Sequence, residues 1–224
     1  MKGSEPVLVG IDVLGVQRYV FSSIRLRDAI SASWLVDWAT KANGALAGVT
    51  NGRILLAGGA NAILYFDDLQ SAQKFTAEYT RKLYDMAPGL EVAVQHCTYQ
   101  PGKLADALEQ LWKNLAQHKR QRKLSVPLAG LPVTASCQVT GRPAAGFDSQ
   151  EPDVPLSRTV LRWRDEQVRR DADRRWDEFL PGQEGERFAF PREIDDMGRT
   201  RGESSLVGVV HVDGNAVGLS ILNW

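Results

Sequence analysis

The sequence is poor in the residues that hold metals or cross-link chains: of its 224 residues only two are cysteine and three are histidine. Cys97 and Cys137 lie far apart, so no disulfide framework is legible and a reducing compartment is the default expectation. His96, His118 and His211 share no ligand spacing, and each is expected in a structural or exposed role. Net charge is missing as well. Lysine plus arginine and aspartate plus glutamate each total 27, which removes any global electrostatic reason to expect nucleic acid, anionic membrane or an acidic substrate and leaves only local basic surface. No apolar run approaches a membrane span. The opening "MKGSEPVLVGI" passes into a β-like segment too soon for a signal peptide. The expected location is cytoplasmic, with no membrane partner.

What is present is a series of short periodic segments. "VLVGIDVL", residues 7 to 14, reads as a buried strand carrying one carboxylate, Asp12. In "RLRDAISASWLVDWATKANG" the apolar residues Ile30, Trp34, Leu35 and Trp38 recur at helical spacing, and Asn43-Gly44 is a stop signal. The two tryptophans are expected in the core before they are expected to stack on bases. "RILLAGGANAILYF", residues 53 to 66, reads as two strands joined at Gly58-Gly59-Ala60-Asn61. A helix near 69 to 86 has Phe75, Tyr79, Leu83 and Met86 as its stripe, and "LEVAVQHCTY" is a fourth strand. Strand, helix, strand, strand, helix, strand is the βαββαβ order of an α+β, ferredoxin-like domain, expected over residues 1–100: a four-stranded antiparallel sheet with two helices on one face.

Residues 101–204 are expected to form a helical and irregular extension. "GKLADALEQLWKNLAQHKRQRK" is a helix whose basic end reads as a solvated cap. Pro127 to Pro155 looks like an insert or linker. A long charged helix, about 156 to 180, is expected to dock through Leu161, Val168, Ala172, Trp176 and Phe179. "SSLVGVVHVDGNAVGLSILNW", within residues 205–224, reads as the first strand and turn of a second, similar unit.

These segments resemble a known family. "IDVLGVQRYVFSSIRLRDAISASWLVDWAT", with Asp12, Gly15, Gln17, Tyr19, Phe21, Leu26, Arg27 and Ser33, resembles the first palm domain of the large polymerase-like subunit of type III CRISPR effector complexes. "LLAGGANAILYF" looks like the hairpin of that palm, "SCQVTGRPA" is similar to a fragment of its zinc-binding insert, and "LVGVVHVDGNAVG" resembles the opening of the second palm. The resemblance implies antiviral defence, nucleotide triphosphates such as ATP as ligands, cyclic oligonucleotide signalling, and RNA or other effector-complex subunits as partners. The sequence departs from that pattern in having no His-Asp nuclease domain, no second-palm Gly-Gly-Asp-Asp hairpin and one insert cysteine where zinc needs about four ligands. A stand-alone relative, or an N-terminal portion of a longer protein, is therefore expected.

Palm chemistry needs carboxylates on adjacent strands to hold two divalent ions. Asp12 supplies one, but the "GGAN" turn supplies none, and Asp67 and Asp68 are placed to start the next helix. No catalytic residue is assigned. Asp12, Gly58, Gly59 and Asn61 are candidates for nucleotide contact. Asp213, at the end of an apolar strand and followed by glycine, is the candidate metal ligand for magnesium or manganese, effective only in a completed second palm. No zinc is expected. A second reading is a noncatalytic RNA-binding or scaffold module, for which exposed aromatics on the central strands would be needed. Tyr65 and Phe66 are adjacent, so only one of them can point outward.

Overall fold

The computed structural model of the protein describes residues 5–121, 133–176, 179 and 190–197. The chain runs through β1 (Val7–Leu14), a short α1 (Val16–Val20), α2 (Leu26–Thr40), β2 (Gly52–Gly58), β3 (Asn61–Phe66), α3 (Leu69–Met86) and β4 (Glu91–Thr98). The strands make one sheet in the order β2-β3-β1-β4, and every neighbouring pair is antiparallel. This is the expected α+β, ferredoxin-like core.

Alternation along the strands divides the core into two layers. Val7, Val9, Ile11 and Val13 of β1 and Ala62, Leu64 and Phe66 of β3 face α2 and α3, where they meet Leu35, Ala39, Tyr79 and Leu83. The buried Tyr79 hydroxyl ties the two helices together by donating to the Ala39 carbonyl at 3.1 Å. The opposite face is also covered. Leu8 and Leu14 of β1, Ile63 of β3 and Ala93 of β4 pack against Ala107, Leu111 and Leu115 of α4 (Leu104–Gln121). Burying each of these leucines contributes about 1.5–3 kcal/mol. α4 lies close because Gly10 has no side chain: a Cβ there would stand 3.0 Å from Leu111 and Leu115.

Three features differ from expectation. On α2 the spacing singled out Ile30, Trp34, Leu35 and Trp38; Leu35 is fully buried, together with Ala32 and Ala39, whereas Ile30, Trp34 and Trp38 are only partly buried. α2 is wedged between the sheet and a later helix, so its buried surface is wider than one stripe, and Trp34 and Trp38 stack on each other at its flank, 6.4 Å between centroids. The long charged helix is two helices, α5 (Arg158–Trp163) and α6 (Glu166–Arg174). Asp165 starts the second by accepting from the Gln167 and Val168 amides, an N-cap that the arginine-rich context hides. Finally, the described part of the proline-rich stretch is structural. It forms a small ladder, β5 (Gly146–Phe147) with β6 (Pro155–Leu156), and Cys137 and Leu156 join the same core as Val160, Trp163 and Val168.

The described residues through Phe179 fall in one compact unit; Phe190 opens a second, of which a 3-10 turn at Ile194–Met197 is described. The expected second-palm opening, with His211 and Asp213, lies outside the described residues. Among the described residues no helix is long and apolar enough to cross a membrane.

A buried ion group joins the later helices to α2. Asp28 is fully buried; it accepts from Ser23 Oγ at 2.8 Å and from Arg164 Nη2 at 3.1 Å, while Arg164 also pairs with buried Asp148. Burial pushes the Asp148 carboxyl up, but the Gln150 amide and Arg164 outweigh it and hold it below the usual carboxylate range. Removing one partner of such a group strands a charge, which costs about 3–5 kcal/mol. Asp28→Asn is therefore expected to lower unfolding free energy by about that amount in urea titrations. Arg164→Met strands both Asp28 and Asp148 and should cost more than Asp28→Asn; a smaller loss would contradict this account.

Candidate functional site

β2 and β3 meet in a two-residue turn between the paired residues Gly58 and Asn61. Gly59 and Ala60 have φ of 61° and 65°, the positive pair of a type I′ hairpin. Glycine adopts this without strain, whereas alanine carries a left-handed penalty of about 1–2 kcal/mol. Asn61 Nδ2 donates to the Gly59 carbonyl at 3.0 Å and holds the turn closed. A Cβ on Gly58 or Gly59 would meet nothing within 4 Å. The backbone of the tip is open to a ligand.

The sheet brings the four sequence candidates together. Asp12 of β1 is the register partner of Asn61, and the next residue, Val13, donates its amide to the Ala60 carbonyl at 2.9 Å. Asp12 is 5% exposed. Its carboxylate pairs with Lys119 from the last turn of α4. Lys119 is the residue that reading "HKRQRK" as a solvated cap overlooks. The signal was available: Leu111, Leu115 and Lys119 are spaced four apart and share one helix face. Asp67 and Asp68 stand at the other end of β3, and Asp68 caps α3 by accepting from the Ser71 amide at 2.8 Å.

On the α2 side of the tip lies a cleft of about 460 Å³ bordered by Gly59, Ala60, Ser33, Lys41, Arg175 and Phe179. Arg175 lies over the Trp176 ring at 4.4 Å and donates to Ser33 Oγ at 3.3 Å. On the other face Tyr65 sits beneath the Arg53 guanidinium and packs edge-on against Tyr99, while Phe66 is buried in the core. With α4 laid across β1 and β4, the sheet offers no open aromatic platform of the kind used to stack RNA bases.

The histidines and cysteines among the described residues serve locally. His96 Nε2 is 2.9 Å from Thr76 Oγ1, and half-burial lowers its pKa. His118 meets Gln95. Cys97 is partly buried against the α4 layer. Among the described residues no group of three or more His, Cys, Asp or Glu side chains is placed to hold a metal ion. Cys137 sits in a tight loop closed by its own amide donating to the Arg142 carbonyl at 2.7 Å and the Gly141 amide returning to its carbonyl at 2.8 Å. Burial alone would push the thiol up, but donors from Thr140 and Ser157 outweigh it and bring the thiol down to about 7.

No family model matches the sequence, and no curated protein matches it. Solved structures do. A Csm1-Csm4 cassette in complex with cA4 aligns with TM-score 0.41 at 19% identity over 54% of this chain and 20% of that one. The apo cassette gives 0.42 at 18%, over 54% and 19%. The Csm1-Csm4 subcomplex of a type III-A CRISPR-Csm interference complex gives 0.35 at 19%, over 53% and 19%. The chain thus spans about a fifth of the length of the chains it matches.

Two outcomes are expected. Ala60→Gly relieves the left-handed strain and should raise the urea midpoint, by about 1 kcal/mol in unfolding free energy; a loss of stability would contradict the turn assignment. For Cys137 the folded thiol lies below its ordinary value of about 8.5, so its stabilising contribution is full above that value and fades as pH falls through about 7. Between pH 6.5 and 9 the wild type should gain stability relative to Cys137→Ala; parallel curves would remove the thiolate from the account.

Proposed function

We propose that this chain is the nucleotide-binding, noncatalytic first palm of a nucleotidyltransferase-type protein, one that joins nucleotides into oligonucleotides in CRISPR-type antiviral defence or signalling. One observation carries the reading: at the place where a palm gathers acids for metal, this hairpin presents open glycine backbone, and the facing Asp12 is neutralised by Lys119. Two-metal phosphoryl transfer needs carboxylates from neighbouring strands. Here the neighbour of Asp12 is an amide, Asn61. A triphosphate at this tip meets backbone donors and a lysine side chain that is about half exposed, an arrangement suited to holding phosphate oxygens.

Within this reading each candidate has a part. Gly58 and Gly59 let the ligand approach the main chain, Asn61 keeps the turn in shape, and Asp12 acts by positioning Lys119. The cleft beside Ala60 has the volume of a nucleotide-sized pocket, with Lys41 and Arg175 as cations. Metal-dependent chemistry belongs to the second palm, with Asp213 as its first ligand and magnesium or manganese as the ion. Zinc has no part in it. The setting is cytoplasmic, with ATP as the first nucleotide to test and other effector-complex subunits as partners. The RNA-reading alternative is weakened by α4, which occupies the sheet face that such a module would use.

Equilibrium dialysis with labelled ATP is the direct test. Binding should be saturable, and Asn61→Ala and Lys119→Met should each weaken it several-fold. Incubation with each ribonucleotide triphosphate and manganese should leave the nucleotides unjoined. Product formation that is lost in Asp12→Asn would place catalysis in this palm and overturn the proposal.

A further inference from the structure

A second cavity, about 250 Å³, opens at the C-terminal end of β1, between the palm and residues 139–163; its walls include Gly15, Arg18, Tyr19, Arg142, Thr159 and Trp163. Two of these walls carry buried polar groups, Tyr19 Oη and Trp163 Nε1, that have only each other nearby and make no well-formed hydrogen bond. Tyr19 is 6% exposed and Trp163 0%. Their rings meet edge to face, 5.3 Å between centroids. Burial raises the Tyr19 phenol well above its ordinary value, so it stays protonated and able to donate. Arg142 Nη1 and Thr159 Oγ1 converge beside Gly89, 2.6 and 2.7 Å from where a Cβ on that residue would stand. The missing side chain at Gly89 is what admits both.

The cavity is rich in donors and short of acceptors. Its one acid, Glu91, is engaged by Arg18 at 2.8 Å. Arg142 makes no ion pair with a carboxylate among the described residues. Each buried polar group left unmade costs about 1–3 kcal/mol, and native folds carry few of them. A ligand that relieves this must bring several acceptor oxygens pointing in different directions, plus negative charge for the guanidinium. A planar carboxylate spreads its acceptors in one plane, whereas a tetrahedral oxyanion presents them in several directions, as a cavity walled by Arg142, Thr159 and Tyr19 requires.

We infer that this cavity binds a phosphate group, supplied by free phosphate or pyrophosphate or by the phosphate end of a nucleotide. The site is separate from the hairpin tip. It is shared between α1 of the palm and the segment from Arg142 to Trp163, so an occupant fastens the two together and stabilises the fold by mass action.

The test is isothermal titration of the full chain with orthophosphate, pyrophosphate and ATP at fixed ionic strength, with chloride as control. Saturable binding of at least one is expected. Tyr19→Phe and Arg142→Gln should each weaken it about tenfold or more, the scale of a hydrogen bond to a charged group, while Asn61→Ala at the hairpin tip leaves it unchanged. Tyr19→Phe removes a hydroxyl whose proton has no acceptor in the protein, so its urea midpoint without phosphate should stay close to that of the wild type, and this separates lost binding from lost folding. Tighter binding of orthophosphate or pyrophosphate than of ATP identifies a free anion as the source; the reverse order, with the same sensitivity to both variants, identifies a nucleotide. The inference is overturned if none of the three ligands saturates, or if binding survives Tyr19→Phe and Arg142→Gln but disappears in Asn61→Ala. Because the orthophosphate and pyrophosphate titrations do not depend on the hairpin tip, failure here and failure of the nucleotide reading are distinguishable.

Discussion

Asp28 is the constraint on which much of the structure depends. A carboxylate buried completely within α2 is costly unless it is paired and hydrogen-bonded, and its main partner, Arg164, lies more than a hundred residues later in the chain. Bringing that guanidinium inward ends α5 at Trp163, and Asp165 then starts α6. The interruption has two geometric results. Trp163 is delivered against Tyr19 of α1, and α6 is laid along α2, which carries Arg175 to Ser33 beside the hairpin tip. Both clefts therefore depend on one buried charge group.

How much of this can be read from sequence follows from how local each determinant is. β1 to β4 were legible because their alternation and turn residues lie within each segment, and the order of the elements then selects the ferredoxin-like topology. Of the buried face of α2 only Leu35 was, since the extent of that face depends on α6, a partner distant in sequence. The break between α5 and α6 was hidden for a similar reason: Arg164 looks like one more surface arginine until Asp28 and Asp148 are known to be beside it. Pro127 to Pro155 resembles a linker by composition, yet Cys137 within it and Leu156 just after it reach the main core. At the candidate site, the placement of the hairpin beside the Asp12 strand followed from the hairpin reading, while the register that sets Asp12 opposite Asn61 did not. Lys119 followed from the Leu111 and Leu115 spacing only if α4 was already known to cross the sheet.

The hairpin tip carries no acid of its own, and this decides how Asp12 is accommodated. A lone Asp12, 5% exposed, would be a buried charge without compensation, and the helix that covers the second sheet face supplies Lys119 to meet it. That pairing adds a charged tether at the end of α4 to the leucines that fix its middle. It also changes the chemistry of the tip, because a carboxylate engaged by an ammonium group attracts a divalent cation less, while the half-exposed lysine attracts phosphate more.

The same logic extends along the C-terminal end of β1. The chain carries no net charge, but at this end the acids are already matched: Asp12 by Lys119 and Glu91 by Arg18. What is left over is Arg142, the Tyr19 phenol and the Trp163 indole, all donors. Local pairing of the acids therefore turns a neutral protein into one with an acceptor-seeking cavity where β1 leads into α1. Net charge cannot reveal such a place, since it averages over the surface, whereas the balance of donors and acceptors inside one cavity does.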